Sequence, residues 1–380
     1  MDHRTLGVEE ELLLVDPETR EASPRAPQVL KYAAEHALPD AEDLDHELYR
    51  HQLETRTPPV TSLTDLRTHL LSRRAAAARA ADGVGVRTAA AGAIPWGSAE
   101  PRTTRDDRYL SMVDTYGELA RPGGTCGMHV HVAIGSDEEG VRVIDALRPW
   151  LPVLLAISAN SPFYEGRDTG YASWRALAWG QWPSAGPTER FGSVAAYRQV
   201  GQALIDSGAA RDEGMLYYDA RLARSFPTVE VRIADVCTDP DDAVLVAALA
   251  RGLVHRCAEP SFEPPDAAGR WRAEVVRAAR WRAARQGLGG RLLDPLSGEL
   301  RPARAVLELL LDTVRAPLEE YDDLDVVREG VARVLAEGGS VRQRAAYERS
   351  GGRLEDVVDD LVARTNPGTN PGTGVSADAG

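Results

Sequence analysis

Leu6–Val15 reads LGVEEELLLV, an apolar run that is interrupted in its middle by three glutamates. In a β-strand, residues i and i+2 point to the same face of the sheet, and residue i+1 points to the other face. Glu9 and Glu11 would therefore project together, while Val8 projects away from them. This stretch alone leaves two interpretations open: a solvated edge strand, or a strand that offers two carboxylates to a cation.

The same spacing of polar groups recurs on three later apolar runs. The pairs are Gln52 and Glu54 in RHQLETRT, His129 and His131 in GMHVHVAI, and Glu230 and Arg232 in TVEVRIAD. The intervening Leu53, Val130 and Val231 would point to the opposite face. A single pair of this kind carries little information. Four pairs on separate strands predict a sheet with one polar, carboxylate-rich face that is suited to cations and phosphates.

These pairs have ordinary explanations as well as functional ones. Two carboxylates on one face repel each other unless cations neutralise them, and such oxygen ligands suit Mg²⁺ or Mn²⁺ bound together with phosphates. An HxH pair is more often structural than metal-binding, and ExR on a sheet is usually a cross-strand ion pair. Next to a metal–phosphate site, however, Glu230 would ligate a cation, and Arg232 would stabilise charge on a transferring phosphoryl group.

The composition argues against several other kinds of site. The 380-residue chain has a net charge of −14, so no global basic field would recruit nucleic acid or an acidic membrane. Lys31 is the only lysine, which argues against a Schiff-base or Walker-type lysine. No P-loop, GxSxG or strand-following GxGxxG motif occurs. An anionic substrate would therefore need local cations, from metals or from clustered arginines.

The cysteines and the apolar segments bear on where the protein resides. Cys126, Cys237 and Cys257 are scattered and lack CxxC spacing, which argues against a disulfide framework and a structural zinc site. The N-terminus shows no secretory signal, and the longest apolar run, Trp150–Ala159, is shorter than the roughly 20 residues that span a bilayer. We expect a soluble cytoplasmic protein that binds neither nucleic acid nor membranes.

Strand-like segments concentrate in the first two thirds of the chain, and helical patterns dominate the last third. This order predicts an α+β fold with a mainly antiparallel sheet. Because the polar pairs span residues 9–232, we expect one catalytic domain over 1–365, sheet-rich over 1–239 and helical over 240–365. The low-complexity stretch 366–380 predicts a disordered tail. Helices are predicted over Pro27–Glu35, Thr64–Asp82, Tyr109–Glu118, Asp137–Ala159, Ser193–Ser207, Asp241–Cys257, Trp271–Gln286, Pro302–Leu318, Val326–Glu337 and Leu354–Arg364, and further strands over Val84–Ala91 and Met215–Leu222.

Residues 160–179, NSPFYEGRDTGYASWRALAW, predict a polar loop beside the polar face of the sheet. Loops in such positions often carry binding groups. Arg167 and Arg175 are suited to bidentate hydrogen bonds with a substrate carboxylate or a nucleotide. A solvated loop would explain the same residues.

Five ordered blocks resemble the bacterial carboxylate–amine ligase branch of the glutamate–cysteine ligase type 2 family. The blocks are LGVEEELLLVDPET, ELYRHQLETRTP, GMHVHVAIG, SANSPFYEGRDTGYASWR and TVEVRIADVCTDPDDA. The resemblance implies a fold similar to glutamine synthetase, in which a curved, mainly antiparallel sheet forms a bowl flanked by helices. It also implies an ATP-dependent ligase. ATP would phosphorylate a carboxylate, by default the γ-carboxylate of glutamate, and an amine, by default that of cysteine, would attack the acyl phosphate, with weak activity for that pair.

The resemblance also assigns roles to individual residues. The positions that match metal ligands are Glu9, Glu11, Glu54, His129 and Glu230. Arg232 matches the arginine that faces the ATP phosphates, and the expected catalytic residues are Arg232 and Glu54. Arg167, Tyr171 and Arg175 fall in the loop that would bind the substrate carboxylate, and Arg167 is also a candidate ATP contact.

The family pattern further implies Mg²⁺, or Mn²⁺ in its place, small amino acid and amine substrates, and a homodimer. It gives no defined role to Gln52 or His131. A second interpretation uses the same face without nucleotide: His129, His131 and the glutamates would surround an activated water, as in a metal-dependent amide hydrolase. The arginines of the 160–179 loop would then have no evident role, which favours the ligase.

Overall fold

The computed structural model of this protein describes residues 3–97, 103–120, 123–264 and 269–367. Its strands in chain order are β1 (Leu6–Val15), β2 (Leu44–His46), β3 (Gln52–Arg56), β4 (Arg87–Ala89), β5 (Gly127–Ala133), β6 (Phe163–Tyr164), β7 (Arg167–Asp168), β8 (Ala220–Leu222), β9 (Thr228–Asp235), β10 (Arg291–Leu293) and β11 (Leu300–Pro302). One sheet contains seven of them in the order β2-β3-β1-β5-β9-β8, with β4 also paired to β1. Its pairings are antiparallel.

The strand β1 is central because it is long enough to pair with three neighbours. Glu9–Leu13 pair with β3 on one side. On the other side, Leu6–Glu10 pair with β5, and Leu13–Val15 pair with β4. The stretch that carries the first two glutamates of the polar face is therefore fixed on both sides by backbone hydrogen bonds, which gives its side chains defined directions.

The predicted alternation of faces is confirmed. The apolar residues that were predicted to point away from the polar pairs are all buried, at 2 % exposure or less: Val8, Leu53, Val130 and Val231. They belong to the hydrophobic clusters that join the sheet to the helices behind it. The opposite face carries the polar pairs.

The helices are α1 (Ala26–Glu35), α2 (Leu63–Asp82), α3 (Asp107–Tyr116), α4 (Asp137–Leu147), α5 (Leu151–Ser158), α6 (Arg175–Trp179), α7 (Val194–Asp206), α8 (Pro240–Ala258), α9 (Ala273–Gln286), α10 (Ala303–Glu320), α11 (Leu324–Glu337), α12 (Gly339–Arg349) and α13 (Leu354–Thr365). Helix α8 packs against β1 and β5 and is itself covered by α10 and α11. Helix α13 packs against β4. The helices of the last third thus cover the sheet that the first two thirds form, and the α+β prediction is confirmed.

Three local predictions differ from the structure. The helix predicted over Asp137–Ala159 is two helices, α4 and α5, because Pro149 and Pro152 cannot donate the backbone N–H that a continuous helix requires. The strands predicted over Val84–Ala91 and Met215–Leu222 shorten to β4 and β8. The helix α12 and the β10–β11 hairpin were not predicted, and α12 has a largely polar sequence without an apolar stripe.

The end of α13 is tied to the sheet. Asn366, the first residue of the predicted tail, donates a hydrogen bond from Nδ2 to Thr88 Oγ1 at 2.9 Å. The rest of that predicted tail, 368–380, lies outside the described residues. In the part of the chain that the structure describes, no helix combines the length and apolar character needed to cross a membrane.

Candidate active site

The register of the sheet lines up the acidic half of the polar face. Glu54 on β3 lies directly opposite Glu11 on β1. On the other side of β1, Glu9 lies opposite His129 on β5. Like charges directly opposite one another destabilise a sheet unless something neutralises them, so this half of the face is built to hold positive charge.

The same register lines up a basic half on the next strands. His131 on β5 lies opposite Glu230 on β9, and Glu230 lies opposite Arg221 on β8. Arg232 follows Glu230 on the same face of β9. The face therefore changes from carboxylates, through two imidazoles, to two arginines.

A cavity of about 280 Å³ lies over this face. The four polar pairs all contribute to its lining, including Gln52 and His131. Further walls come from residues outside the pairs: Glu47, Arg108, Trp179, Tyr217, Arg221 and Phe226. The predicted polar face is thus the floor of a concave site, as a small-molecule site requires.

Glu9 lies between the two histidines. Its Oε2 is 3.1 Å from His129 Nδ1, and its Oε1 is 3.5 Å from His131 Nε2. Burial raises the pKa of Glu9, but its contacts with His129 and His131 more than offset this and hold the pKa well below its usual value. Burial and the charge of Arg232 lower the pKa of His129. The neutral imidazole that results at pH 7 is the form that binds metal ions.

Glu11 is positioned by the backbone of β5. Its Oε2 accepts a hydrogen bond from the N–H of Gly127 at 2.6 Å, and its Oε1 is 3.8 Å from His129 Nε2. A β-bulge between Met128 and Val130 interrupts the pairing of β5 with β9 next to this contact. Bulges often redirect side chains near functional sites.

Glu47 and Glu54 form a second acidic group on the other side of Glu11. Their side chains share a hydrogen bond. Burial and the charge of Glu11 raise the pKa of Glu47 to about 7. Burial raises the pKa of Glu54 well above its usual value, and the charges of Glu47, Glu9 and Glu11 add to the effect. These carboxylates can be ionised together only when positive charge is close to them.

Both oxygens of Glu230 are held by arginines. Arg221 Nε donates to Oε2 at 2.7 Å and Arg221 Nη2 to Oε1 at 3.2 Å, while Arg232 Nη1 also donates to Oε1. Burial raises the pKa of Glu230, but the charges of Arg232 and Arg221 hold the pKa well below its usual range. Glu230 is therefore ionised and fixed in orientation.

Arg232 is buried but not fully paired. Its guanidinium lies 6.0 Å from the centre of the Tyr217 ring, and Nη1 is 3.5 Å from His129 Nδ1. Its Nε is buried and has no hydrogen-bond partner among the described residues. A buried donor without a partner is costly in a folded protein, and Arg232 lines the cavity where an anion could accept its hydrogen bonds.

Divalent cations and a polyphosphate fit this donor set. Crowded carboxylates with raised pKa values on one side call for cations, and hard oxygen ligands are what Mg²⁺ and Mn²⁺ prefer. The buried, unpartnered Nε of Arg232 calls for an anion. The cavity therefore combines the two requirements of a metal–nucleotide site.

Comparison with known proteins identifies the kind of enzyme. The model of the family described as "Glutamate-cysteine ligase family 2" matches residues 5–360 of this chain. The chain belongs to that family. It is therefore an ATP-dependent ligase that joins a carboxylate to an amine and uses a divalent metal, and the predicted enzyme class is confirmed.

Relatives of this ligase match over nearly the whole chain. A protein of Nocardioides named "putative glutamate–cysteine ligase 2-1" is 54 % identical over 368 residues, which are 95 % of this chain and 96 % of the relative. A protein of Streptomyces avermitilis with the same name is 45 % identical over 366 residues, which are 95 % of this chain and 99 % of the relative.

A solved structure of similar fold is the bifunctional glutathione synthetase of Pasteurella multocida, with a TM-score of 0.68 and 17 % identity. That match covers 96 % of this chain and 51 % of the Pasteurella chain, so the ligase spans about half of that protein. The glutamate–cysteine ligase of Francisella tularensis, solved with AMP, has a TM-score of 0.63 and 14 % identity, and the match covers 96 % and 88 % of the two chains. At these identities the likeness establishes the fold, and the predicted glutamine-synthetase-like architecture is confirmed.

The loop of the ligase that was expected to bind substrate does not bring its predicted residues to the cavity. Arg167 lies on β7 in a two-stranded hairpin, and its side chain is exposed. Tyr171 packs away from the sheet, where its hydroxyl accepts a hydrogen bond from Trp281 Nε1 at 3.2 Å and its ring contacts Arg285. Neither residue lines the cavity, and their role in binding a substrate carboxylate or ATP stays a prediction.

Arg175 also lies outside the lining of the cavity, and its predicted role in substrate binding is likewise untested. Its guanidinium is buried and points to the backbone carbonyls of Ile233 and Arg232, at 3.4 Å each. Asp235 anchors the loop that leads to it, because the carboxylate accepts hydrogen bonds from the N–H of Asn160 and the hydroxyls of Ser161 and Ser173. The loop therefore runs beneath the end of β9, and Arg175 supports the strand that carries Arg232.

Some residues of the ligase site were missed by the sequence reasoning. Glu47 lies in the second of the five blocks that resemble the family, ELYRHQLETRTP, but it follows a short strand and has no alternating partner. Arg221 lies on the short edge strand β8, where only the register with β9 reveals its pairing. Trp179 is the contribution of the 160–179 loop to the cavity.

Proposed function

We propose that this ligase joins the γ-carboxylate of glutamate to the amine of cysteine at the cost of one ATP, in the presence of Mg²⁺. The observation that carries the proposal is the division of the cavity into a carboxylate side around Glu9, Glu11 and Glu54 and an arginine side around Glu230. ATP and its cations need both kinds of group within one site. The choice of glutamate and cysteine rests on the names of the relatives, and weak activity for that pair is part of the proposal.

The proposed cation ligands are those that the family pattern assigns: Glu9, Glu11, Glu54, His129 and Glu230. We add Glu47 to this set because its side chain shares a hydrogen bond with Glu54. Bound Mg²⁺, or Mn²⁺ in its place, would neutralise the phosphates of ATP and would make the γ-phosphorus easier to attack. When a cation is bound, the carboxylate ligands would be ionised and the histidine ligand would be neutral.

Arg232 is proposed to contact the transferring phosphoryl group. Its side chain is oriented by Glu230 on one side and by the face of Tyr217 on the other. The residue lines the cavity, where a phosphate could accept hydrogen bonds from its guanidinium. An arginine held in this way stabilises the charge that develops as the phosphoryl group moves.

The chemistry requires activation because a carboxylate is a poor electrophile. In the first step, a γ-carboxylate oxygen attacks the γ-phosphorus of ATP, the bond to the bridging oxygen breaks, and ADP leaves. In the second step, the amine nitrogen attacks the acyl carbon, and phosphate leaves with the bond electrons. The amine gives up its proton, and the products are an amide, ADP and phosphate. Glu54 is proposed as the second catalytic residue because it lies on the floor of the cavity, opposite Glu11.

A metal-dependent amide hydrolase would use the same histidines and glutamates, but family membership favours the ligase. The two functions differ in their need for nucleotide. We further propose a single catalytic domain, a homodimer and a cytoplasmic location, as the sequence predicts.

The test is ADP release by the full-length protein with Mg²⁺ across a panel of amino acids and amines. We expect ADP release that requires both glutamate and an amine, and that is greatest or near greatest with cysteine. Glu54→Gln should abolish it, whereas Glu18→Gln, at an exposed turn away from the cavity, should leave it unchanged. Amide cleavage without nucleotide would favour the hydrolase. The absence of amino-acid-dependent ADP release across the panel would overturn the proposal.

A further inference from the structure

His131 has one ring nitrogen engaged and the other without a hydrogen bond. Nδ1 is 2.9 Å from Thr228 Oγ1. Nε2 is buried, and the described residues provide no hydrogen-bond partner for it. A carboxylate oxygen, Glu9 Oε1, lies 3.5 Å from Nε2. Because buried polar atoms are nearly always paired in folded proteins, Nε2 is the atom of this ring that is open to a bound ligand.

Three side chains that could bind one metal ion come together beside the His131 ring. Glu9, His131 and Glu230 each offer one atom, and the three atoms lie within 4.8 Å of one another. Two metal–ligand bonds of about 2.1 Å each place the ligands of one cation about 3 to 4 Å apart. The 4.8 Å within which the three atoms lie is only slightly wider than this range.

The surroundings of His131 fix its ring. Thr228 contacts one nitrogen, and Phe226 packs against the ring with the two ring centres 6.2 Å apart and the planes nearly perpendicular. Histidines that bind metals almost always give their other ring nitrogen to a hydrogen-bond partner, which sets the tautomer. Thr228 is in position for this role.

His129 has different surroundings. Its Nδ1 is 3.1 Å from Glu9 Oε2 and 3.5 Å from Nη1 of the cationic Arg232. Its Nε2 points towards Glu11 at 3.8 Å. Both nitrogens of His129 therefore have charged or polar neighbours, and Nε2 faces the Glu11 side of the site.

We infer that His131 Nε2 is the nitrogen ligand of a divalent cation that Glu9 and Glu230 also bind, with Thr228 holding the ring in the required tautomer. This inference rests on the proposed assignment of the polar face to divalent cations. It assigns a ligand role to the second histidine of the HxH pair. It also gives this cation site a property that a site made only of carboxylates lacks.

That property is a stronger preference of the site for Co²⁺ over Mg²⁺. Imidazole nitrogen binds Co²⁺ more strongly than it binds Mg²⁺, whereas carboxylate and amide oxygens suit Mg²⁺. Replacing the imidazole by an oxygen donor should therefore weaken Co²⁺ binding much more than Mg²⁺ binding. A residue that only supports the fold would change both affinities together.

The experiment titrates the full-length, metal-free protein with Co²⁺, followed by visible absorption, and with Mg²⁺ in competition with bound Co²⁺. We expect His131→Gln to weaken Co²⁺ binding about 10-fold to 100-fold and to shift its absorption bands, with a much smaller loss for Mg²⁺. Thr228→Val, which keeps the shape but removes the hydroxyl, should weaken Co²⁺ binding in the same direction. Thr228→Ser should retain it, and His36→Gln, at an exposed position, should match the wild type.

The outcomes separate this inference from the proposed function. Equal losses for Co²⁺ and Mg²⁺, unchanged Co²⁺ bands in His131→Gln, or no Co²⁺ binding by the wild type would overturn it. If His131→Gln fails to fold, the Thr228→Val and Thr228→Ser variants still test the inference. Equal Co²⁺ affinity of these two variants would also overturn it. If the metal preference changes as expected while no amino acid supports ADP release, the ligand role stands and the proposed substrates fail.

Discussion

Glu10 and Arg74 form a fully buried, two-point ion pair behind the sheet. Arg74 Nε donates to Glu10 Oε2 at 2.8 Å, and Nη2 donates to Oε1 at 2.6 Å. Neither side chain is more than 1 % exposed. The middle glutamate of the opening acidic triplet therefore neutralises a cation on α2, while its two neighbours face the cavity. One strand thus serves the fold with one carboxylate and the site with two.

Breaking this pair should be strongly destabilising. Glu10→Gln leaves the Arg74 charge buried and without its counter-charge, and we expect a loss of about 3 to 5 kcal/mol in the free energy of unfolding. Glu18→Gln, at the surface, is the matched control and should change it by less than about 0.5 kcal/mol. Urea unfolding followed by circular dichroism measures both. A loss for Glu10→Gln no larger than that of the control would contradict the structural role.

A companion variant separates the charge from the packing. Glu10→Leu combined with Arg74→Leu removes both charges together, which is far less costly than removing one. Arg74 also donates to the carbonyls of Cys237 and Thr238, each at 2.6 Å. The double variant would leave those carbonyls without a donor, so we expect it to recover only part of the loss.

The second prediction concerns Arg232 and catalysis. Arg232→Gln removes the charge that faces the cavity but keeps a hydrogen-bond donor next to Glu230. We expect kcat for amino-acid-dependent ADP release to fall about 10³-fold, as for other arginines that stabilise a transferring phosphoryl group. Arg198→Gln removes an arginine from the exposed face of α7 and should leave kcat unchanged. A fall in kcat of less than about 10-fold for Arg232→Gln would exclude direct stabilisation of the phosphoryl group.

The sequence predicted the floor of the site well because strand geometry alone determines it. An i, i+2 pair must share a face, so Glu9 with Glu11 and Glu230 with Arg232 could be placed together without knowing the sheet order. The order and register of the strands were needed for the rest. Arg221 on β8 contacts Glu230 on the neighbouring strand β9, and no local sequence pattern indicates that contact.

The path of the 160–179 loop could not be predicted from the sequence because it depends on a distant anchor. Asp235, at the end of β9, binds Asn160, Ser161 and Ser173, and this contact sends the following Arg175 beneath the strand. A polar composition predicts that a loop is functional, but it does not predict which way the loop runs. The resemblance to the family assigned roles to these residues without that information.

The third prediction concerns the dependence of stability on pH. His51 is 1 % exposed, and burial lowers its pKa to about 4. A histidine with a depressed pKa is neutral in the folded protein, whereas the unfolded chain binds a proton below its ordinary pKa of about 6.5. The contribution of His51 to stability is therefore complete above pH 6.5 and is lost as the pH falls from about 6.5 to about 4, by about 3 kcal/mol in all.

Comparison of two variants across this pH range tests the prediction. His51→Gln cannot take up the proton, so the difference in free energy of unfolding between wild type and His51→Gln should shift against the wild type as the pH falls from 6.5 to 4. His36→Gln, at an exposed position, should show no shift of comparable size. Urea unfolding at half-unit pH steps gives both curves. A pH-independent difference for His51→Gln would mean that the folded protein binds the proton as readily as the unfolded chain does.

The last prediction tests the support of the site from beneath. A Cβ atom at Gly127 would lie 2.1 Å from Arg175 Nη2, so Gly127→Ala must displace a buried guanidinium. We expect a loss of about 1 to 3 kcal/mol in the free energy of unfolding, and a fall in ligase activity because the N–H of Gly127 also holds Glu11. Gly289→Ala, where a Cβ would meet nothing within 4 Å, is the matched control and should be neutral.

If the added methyl group acts through Arg175, shortening that arginine should relieve it. Arg175→Met alone removes the hydrogen bonds to the carbonyls of β9 and should be destabilising by itself. The loss in the double variant with Gly127→Ala should be smaller than the sum of the two single losses by at least about 0.5 kcal/mol, because residues in contact couple in this way. Strict additivity would show that the methyl group does not act through Arg175. The support beneath β9 would then have no part in positioning the carboxylate.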